Sequence, residues 1–127
     1  MGHKTLVEVL LHQENKKNQG IFFIESVDQT SFLSYAALME NARKWLSRLR
    51  QAGIGKGDEL VLQIDDNRLF IELFWTCLLG GIIPVPLQVV RNEETNLKLR
   101  NVWECLRNPS LVTSQANYER LSLWNAG

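Results

Sequence analysis

A glycine-rich stretch with a lysine is the first place to look for chemistry in this chain. Residues 53–58 read GIGKGD. A phosphate-binding loop needs a strand before it and a helix after it, so that amides at the helix N-terminus face the anion. Here a helical pattern precedes the glycines and a short apolar run follows them. The order favours a helix C-cap and tight turn, with Lys56 and Asp58 as solvated turn residues, over a ligand role.

A second polar stretch, Asp65, Asp66 and Asn67, follows an apolar run. Two aspartates could form a catalytic or magnesium-binding pair, but adjacent side chains at the end of a strand point apart. Asp or Asn at such a corner commonly caps the following helix. We therefore interpret Asp66 or Asn67 as an N-cap.

Histidine and cysteine provide no further chemistry. His12 has no second ligand or nucleophile near it in the sequence, and His3 lies too close to the N-terminus to carry weight. Cys77 and Cys105 fall inside apolar helical patterns, where a free thiol acts as a small hydrophobe, and they form no zinc signature. We predict no catalytic, cofactor-binding or metal-ligating residue in this chain.

The composition excludes two classes of partner. The 127 residues are 45% hydrophobic, and 14 basic side chains balance 14 acidic ones. A neutral chain without a basic block does not favour nucleic acid. Apolar runs too short for a bilayer and the absence of a signal pattern predict no membrane association and a cytoplasmic location. All four tryptophans lie in helical patterns, which indicates core packing for at least three of them. They are Trp45, Trp75, Trp103 and Trp124.

The elements that position these residues alternate along the chain. Leu6, Val9 and Leu10 predict a first helix that ends near Asn15. Residues 21–24 predict a strand, paired with residues 32–33 across a hairpin. An apolar stripe behind Ser34 predicts a capped helix that ends at Gly53, with a charged and solvated opposite face. The stripe comprises Tyr35, Leu38, Ala42, Trp45, Leu46 and Leu49.

The second half repeats the alternation. Residues 60–64 predict a strand, residues 69–79 a largely buried helix that stops at Gly80 and Gly81, and residues 82–87 an extended edge segment, because Pro84 and Pro86 cannot donate to a ladder. A third helix opens at Asn92 and buries a stripe of apolar residues. A last strand at 110–113 precedes a helix capped by Ser114. The stripe of the third helix comprises Leu99, Val102, Trp103 and Leu106.

Strands alternating with helices of about four turns predict right-handed crossovers and a parallel or mixed sheet with helices on its faces. The fold class is α/β. The length fits one domain or part of one. We expect residues 1–4 to lie outside the folded part, as an appended or disordered end.

The run FLSYAALMENARKWLSRLRQAGIGKGDELVLQIDDNRLFIELFWTCLLGGIIPVPL resembles the N-terminal portion of the adenylate-forming enzymes, the superfamily of acyl-coenzyme A synthetases, fatty acyl-AMP ligases and adenylation domains of nonribosomal peptide synthetases. Ser34 and Tyr35 with Leu38 match the family's T/S-Y-x-x-L opening. Residues 53–58 match its G-[VI]-x-x-G-D turn, and residues 77–87 match its helix end followed by x-V-P-L.

Within that superfamily the chain is most similar to acyl-activating loading domains of hybrid polyketide and nonribosomal peptide synthases. Pro84 stands where amino-acid-activating members carry Tyr, and Gln88 and Val89 replace their Asp-Pro. These departures imply a carboxylic or fatty acid as the activated substrate. A free-standing, noncatalytic α/β interaction module is the alternative, and a Rossmann-type nucleotide binder is disfavoured by the reversed glycine order.

The resemblance implies that residues 1–127 are one N-terminal subdomain fragment of an enzyme that uses ATP and Mg, with phosphopantetheine on its acyl carrier protein partner. The phosphate loop, the acyl pocket and the catalytic lysine would follow Gly127, so we expect the isolated chain to be inactive. The rest of the adenylating domain is the implied partner. We also expect an exposed apolar face, masked by self-association.

Overall fold

The computed structural model describes residues 20–26 and 28–125. In chain order the elements are β1 (Gly20–Ser26), β2 (Gln29–Ser34), α1 (Tyr35–Gln51), β3 (Glu59–Gln63), α2 (Asn67–Gly80), β4 (Ile83–Pro86), α3 (Glu93–Cys105), β5 (Pro109–Thr113) and α4 (Gln115–Asn125). Residues 1–4, the helix predicted around Leu6, Val9 and Leu10, and both histidines lie outside the described residues.

The predicted hairpin is confirmed. β1 and β2 pair antiparallel, with Phe22 opposite Phe32. The alternation of a strand places Phe23 and Leu33 on the buried face, where they pack against α1. Phe22 lies on the other face, 70% exposed, with its ring 4.8 Å from that of Phe32.

Helix α1 begins and ends where the sequence predicted. The Ser34 side chain accepts a hydrogen bond from the Ala37 amide at 3.1 Å. Gly53 follows the C-cap with a φ of 88°, a left-handed conformation that glycine adopts without a steric penalty. The predicted apolar stripe faces inward, and the cationic face is exposed.

Three parallel strands form the main sheet in the order β4-β3-β5. Both strand connections contain a helix, as the α/β class requires. β4 lies at an edge, which confirms the position predicted from Pro84 and Pro86. The α/β fold class is confirmed.

Helices cover both faces of this sheet. Leu60 and Leu62 of β3 pack against α1 and α2, and Val61 between them packs against α3 and α4. All three side chains have no exposed surface. A central strand that is apolar on both faces is typical of a parallel sheet between two helical layers.

Polar caps define the remaining helix ends. Asp66 accepts from the Leu69 amide at 3.0 Å, which confirms the predicted cap, and Gly81 ends α2 with a φ of 69°. Asn92 and Thr95 form a capping box at α3, and Ser114 accepts from the Asn117 amide at 3.2 Å.

Two predictions about α3 are wrong. Trp103 is 37% exposed and Cys105 is exposed, although both were predicted to be apolar helix positions turned inward. The buried residues of α3 are Asn96 and Leu99. Trp103 lies on the same helix face, seven residues after Asn96, but there it lines an open groove beside Tyr118. Cys105 lies on the opposite face of the helix.

Of the other tryptophans, Trp45 and Trp75 are half-buried and pack against the core clusters, whereas Trp124 has no described side chain. No helix within residues 20–26 and 28–125 is both long and apolar enough to cross a membrane.

Candidate functional site

A crevice of about 530 Å³ opens at the carboxyl ends of β3 and β4. Ile64 and Asp65 line one side, directly after β3. The other side is formed by Pro86 at the end of β4 and by four residues of the segment after it, Leu87, Gln88, Val89 and Arg91. The crevice therefore lies at the end of a parallel sheet where α/β proteins commonly bind ligands.

The topology explains why a crevice forms at this place. The chain leaves β3 toward α2 on one face of the sheet and leaves β4 toward α3 on the other face. Neighbouring strands whose connections diverge in this way leave a gap between their loops.

A network of buried polar side chains lies beside this crevice. Gln63 and Asn117 are 0% and 1% exposed, respectively. The Asn117 Nδ2 donates to Gln63 Oε1 and to Thr113 Oγ1, both at 2.8 Å. Asn117 Oδ1 accepts from the Val90 amide at 2.9 Å. One side chain thus joins α4, β3, β5 and the segment after β4.

The network also satisfies the backbone at the strand ends. Gln63 Nε2 donates to the Gln88 carbonyl at 2.7 Å, and Thr113 Oγ1 donates to the Gln63 carbonyl at 2.7 Å. Arg120 donates to the Val90 carbonyl at 3.1 Å. Because buried polar groups are costly without partners, these bonds fix the path of residues 88–90.

The predicted aspartates separate into two roles. Asp65 is exposed at the crevice, and Asp66 is occupied as the cap of α2. Among the described residues, no three His, Cys, Asp or Glu side chains come close enough to hold a metal ion. Burial raises the pKa of the Cys77 thiol to about 11, so this sulfur is a poor nucleophile at neutral pH.

The glycine-rich stretch lies at the amino end of β3, away from the crevice. The Gly57 amide donates to the Gly81 carbonyl at 2.9 Å, and the Gly55 amide donates to Asp58 Oδ2 at 2.8 Å. These amides are therefore already used within the protein. The described residues of this turn do not fit the phosphates of ATP, in agreement with the reversed order of elements.

Asp58 differs from its prediction as a solvated turn residue. Its side chain is half-buried and accepts hydrogen bonds from the Gly55 amide and from Asn108 Nδ2. These two bonds, the Gly55 amide first, lower the pKa of the Asp58 carboxyl. Asp58 therefore ties the turn before β3 to the turn before β5.

Asp58→Asn should lower the free energy of unfolding at pH 7. A carboxyl group with a depressed folded-state pKa stabilises the fold above its unfolded pKa, and this contribution disappears as pH falls through the folded value. The difference between wild type and variant should therefore shrink below about pH 4. Urea unfolding at several pH values measures it, with the exposed Asp65→Asn as control. A difference independent of pH would contradict this role.

Helices α1 and α2 share a polar contact inside an apolar interface. Asn41 Nδ2 donates to Glu72 Oε2 at 2.5 Å, and Thr76 Oγ1 donates to the Glu72 carbonyl at 2.7 Å. Glu72 is 8% exposed. The contact aligns two packed helices, and Lys44 and Arg48 line the same surface pocket as Asn41 and Glu72.

Known proteins share this arrangement of strands and helices. No family model matches the chain. Pyochelin synthase PchD of Pseudomonas aeruginosa is 36% identical over 58 residues, which is 46% of this chain and 11% of the relative. The chain thus matches about a tenth of the length of this curated relative.

Solved structures cover much more of the chain. The structure of McyG A-PCP complexed with phenylalanyl-adenylate is 37% identical, covers 97% of this chain with 20% of its own length, and has a TM-score of 0.86. This is the fold of an adenylation-domain segment. The adenylation domain of a keto acid-selecting NRPS module, bound to keto acyl adenylate, is 28% identical, covers 100% of this chain with 25% of its own, and has a TM-score of 0.84.

A fatty acid AMP ligase from Legionella pneumophila shares the adenylation-domain fold at 19% identity, with a TM-score of 0.82 over 91% of this chain and 20% of its own. The resemblance to adenylate-forming enzymes read from the motifs is confirmed. Two of those motifs are structural elements of this fold. Residues 53–58 form the turn before β3, and residues 84–86 of the x-V-P-L segment lie in edge strand β4.

The Gln63–Asn117 network was not predicted from the sequence. Gln63 ends the apolar run ELVLQ and Asn117 lies in a short polar helix. The only local signal was a polar residue at the end of a buried strand. Neither residue was chosen as a site, and the prediction of no catalytic, cofactor-binding or metal-ligating residue stays a prediction.

Proposed function

We propose that this chain is the N-terminal structural part of an ATP-dependent acyl-adenylating ligase of polyketide and nonribosomal peptide biosynthesis. The enzyme joins a carboxylate to AMP, releases pyrophosphate and passes the acyl group to a carrier-protein thiol. The observation that carries this proposal is the 37% identity and TM-score of 0.86 to McyG A-PCP over 97% of the chain.

In this proposal the 127 residues act as a framework. The network around Asn117 and the caps of the helices fix strand ends and loops, and none of these groups is a reacting group. The rest of the adenylating domain supplies the ATP and magnesium sites, and the acyl carrier protein brings phosphopantetheine. The isolated chain is inactive, and the enzyme is cytoplasmic.

A carboxylic acid is the proposed substrate class. Pro84 in β4 and Gln88 after it depart from the pattern that amino-acid-activating members of the family carry. The keto acid-selecting domain, which binds keto acyl adenylate, matches this chain over its whole length. The two departures and the keto acyl adenylate support an acid without an α-amino group, whereas the McyG structure, at 37% identity, holds phenylalanyl-adenylate.

A chimera tests the framework role. Replacing the matching fifth of McyG A-PCP with this chain should give a soluble enzyme that still catalyses phenylalanine-dependent pyrophosphate exchange, because the replaced segment holds no reacting group. We expect a rate within about tenfold of the parent, equivalent to about 1.4 kcal/mol in the barrier. The isolated 127 residues should show neither exchange nor ATP binding.

Exchange activity or ATP binding by the isolated chain would refute this function. A folded chimera without activity would instead favour the noncatalytic interaction module. The parent McyG domain, prepared in the same way, is the control for assay and folding.

A further inference from the structure

Two carboxylates at the start of β3 hold the turn that precedes β5. Glu59 Oε1 accepts hydrogen bonds from the Arg107 amide at 2.6 Å and from the Asn108 amide at 2.8 Å. Asp58 Oδ1 accepts from Asn108 Nδ2 at 2.8 Å. Hydrogen bonds to a charged acceptor are stronger than those between neutral groups. We call these three bonds the amino-end clamp, because they lie at the amino ends of both strands.

The amino-end clamp compensates for a proline. Pro109 is the first residue of β5, lies opposite Glu59 and has no N–H to donate. The two amides directly before it bind the Glu59 side chain instead. One carboxylate therefore fixes the point at which β5 begins to pair with β3.

At the other end of the sheet, α4 holds one wall of the crevice. The middle of this wall segment, residues 87–91, is held at Val90. The Val90 amide donates to Asn117 Oδ1 at 2.9 Å, and its carbonyl accepts from Arg120 Nη1 at 3.1 Å. The buried Val90 side chain belongs to the same apolar cluster as Leu121. Both backbone groups and the side chain of Val90 thus depend on α4.

β5 and α4 are joined so closely that they must move together. Only Ser114 lies between them, and its hydroxyl accepts from the Asn117 amide at 3.2 Å. Asn117 Nδ2 also donates to Thr113 Oγ1, at the last residue of β5, at 2.8 Å. Displacement of β5 from β3 would therefore carry α4 away from Val90.

We propose that β5 and α4 open and close as one unit, which couples the amino-end clamp to the crevice wall. Glu59 and Gln63 begin and end β3, so the clamp lies roughly 13 Å from the carboxyl end of the sheet. Among the described residues, no hydrogen bond joins Glu59 to the wall segment. Contiguous segments of a protein often open cooperatively. Loosening the clamp then raises the population of the state in which Val90 is released.

This coupling does not depend on the proposed function. It rests on bonds formed among residues 58–121 and does not require any surface of the chain to be free. It is also reciprocal, because a change at Val90 that favours the open unit must weaken the clamp by the same factor. The position of the crevice wall is therefore governed by a turn at the opposite end of the sheet.

Native-state amide hydrogen exchange of the 127-residue chain tests the coupling. Glu59→Gln removes the charge of the clamp and should speed exchange at the Arg107 and Asn108 amides about tenfold. The Val90 amide should speed up by a similar factor, and the amides of α1 should keep their wild-type rates. The matched control is Glu104→Gln, which removes an exposed carboxylate near the end of α3 and should change none of these rates.

Arg120→Ala tests the reciprocal effect and serves even if the Glu59 variant does not fold. It removes one bond to the Val90 carbonyl and should speed exchange at the Arg107 and Asn108 amides about threefold or more. If Glu59→Gln speeds exchange at the turn but leaves Val90 unchanged, the two ends open independently and the proposal is wrong. A uniform rise that includes α1 also overturns it, because the variant then acts through global unfolding.

Discussion

Asn117→Ala should destabilise the fold by about 2–5 kcal/mol, since the Val90 amide and Gln63 Oε1 would stay buried after losing their partner. For a chain of this size, that loss lowers the midpoint of thermal unfolding by roughly 10 °C or more. It is a large fraction of the stability of a typical domain. Thermal and urea unfolding measure it.

The control is Asn101→Ala, which removes an exposed amide from α3 and should cost less than about 0.5 kcal/mol. Asn117→Asp keeps an acceptor for Val90 but removes the donor to Gln63, so it should lie near the alanine variant at pH 7. If Asn117→Ala unfolded like the Asn101 variant, the network would have no role in holding α4 to the sheet.

Leu62→Ala should cost about 2–5 kcal/mol, because the side chain is fully buried on the central strand and its removal leaves a cavity. Leu62 belongs to the cluster that joins β3 to α1 and α2, together with Leu46 and Leu73. Two helices and a strand meet there, so the surrounding chain has little freedom to close the gap. Urea unfolding of the wild type and the variant gives the difference.

Leu123→Ala is the matched truncation, since Leu123 on α4 is 80% exposed. It should change the unfolding free energy by less than about 0.5 kcal/mol. Equal losses for the two variants would mean that Leu62 on the central strand stabilises the core no more than an exposed leucine does. A change in the dependence of unfolding on urea concentration would show that the variant exposes a different surface area.

Much of the fold could be predicted locally. Ser34, Asp66 and Asn92 cap helices because their side chains reach amides three residues ahead, which depends only on nearby sequence. Gly53 and Gly81 end helices because left-handed backbone favours glycine. The motifs in these elements resemble those of the adenylate-forming enzymes, and the similarity to solved structures confirmed this resemblance.

The candidate site could not be predicted in the same way. Gln63 and Asn117 lie 54 residues apart in sequence, and no periodicity of either segment indicates that their side chains meet. The exposure of Trp103 and Cys105 also escaped prediction, because a helical apolar pattern does not say how much of the helix surface other elements cover.

The sequence by itself determined the order of elements, their caps and turns, and the position of Pro84 and Pro86 on a strand that cannot lie inside a sheet. Each of these follows from the stereochemistry of a few adjacent residues. The tertiary structure alone decided the order β4-β3-β5 and the meeting of Gln63 with Asn117. These depend on which distant surfaces pack together, and that is set by burial over the whole chain rather than by local preference.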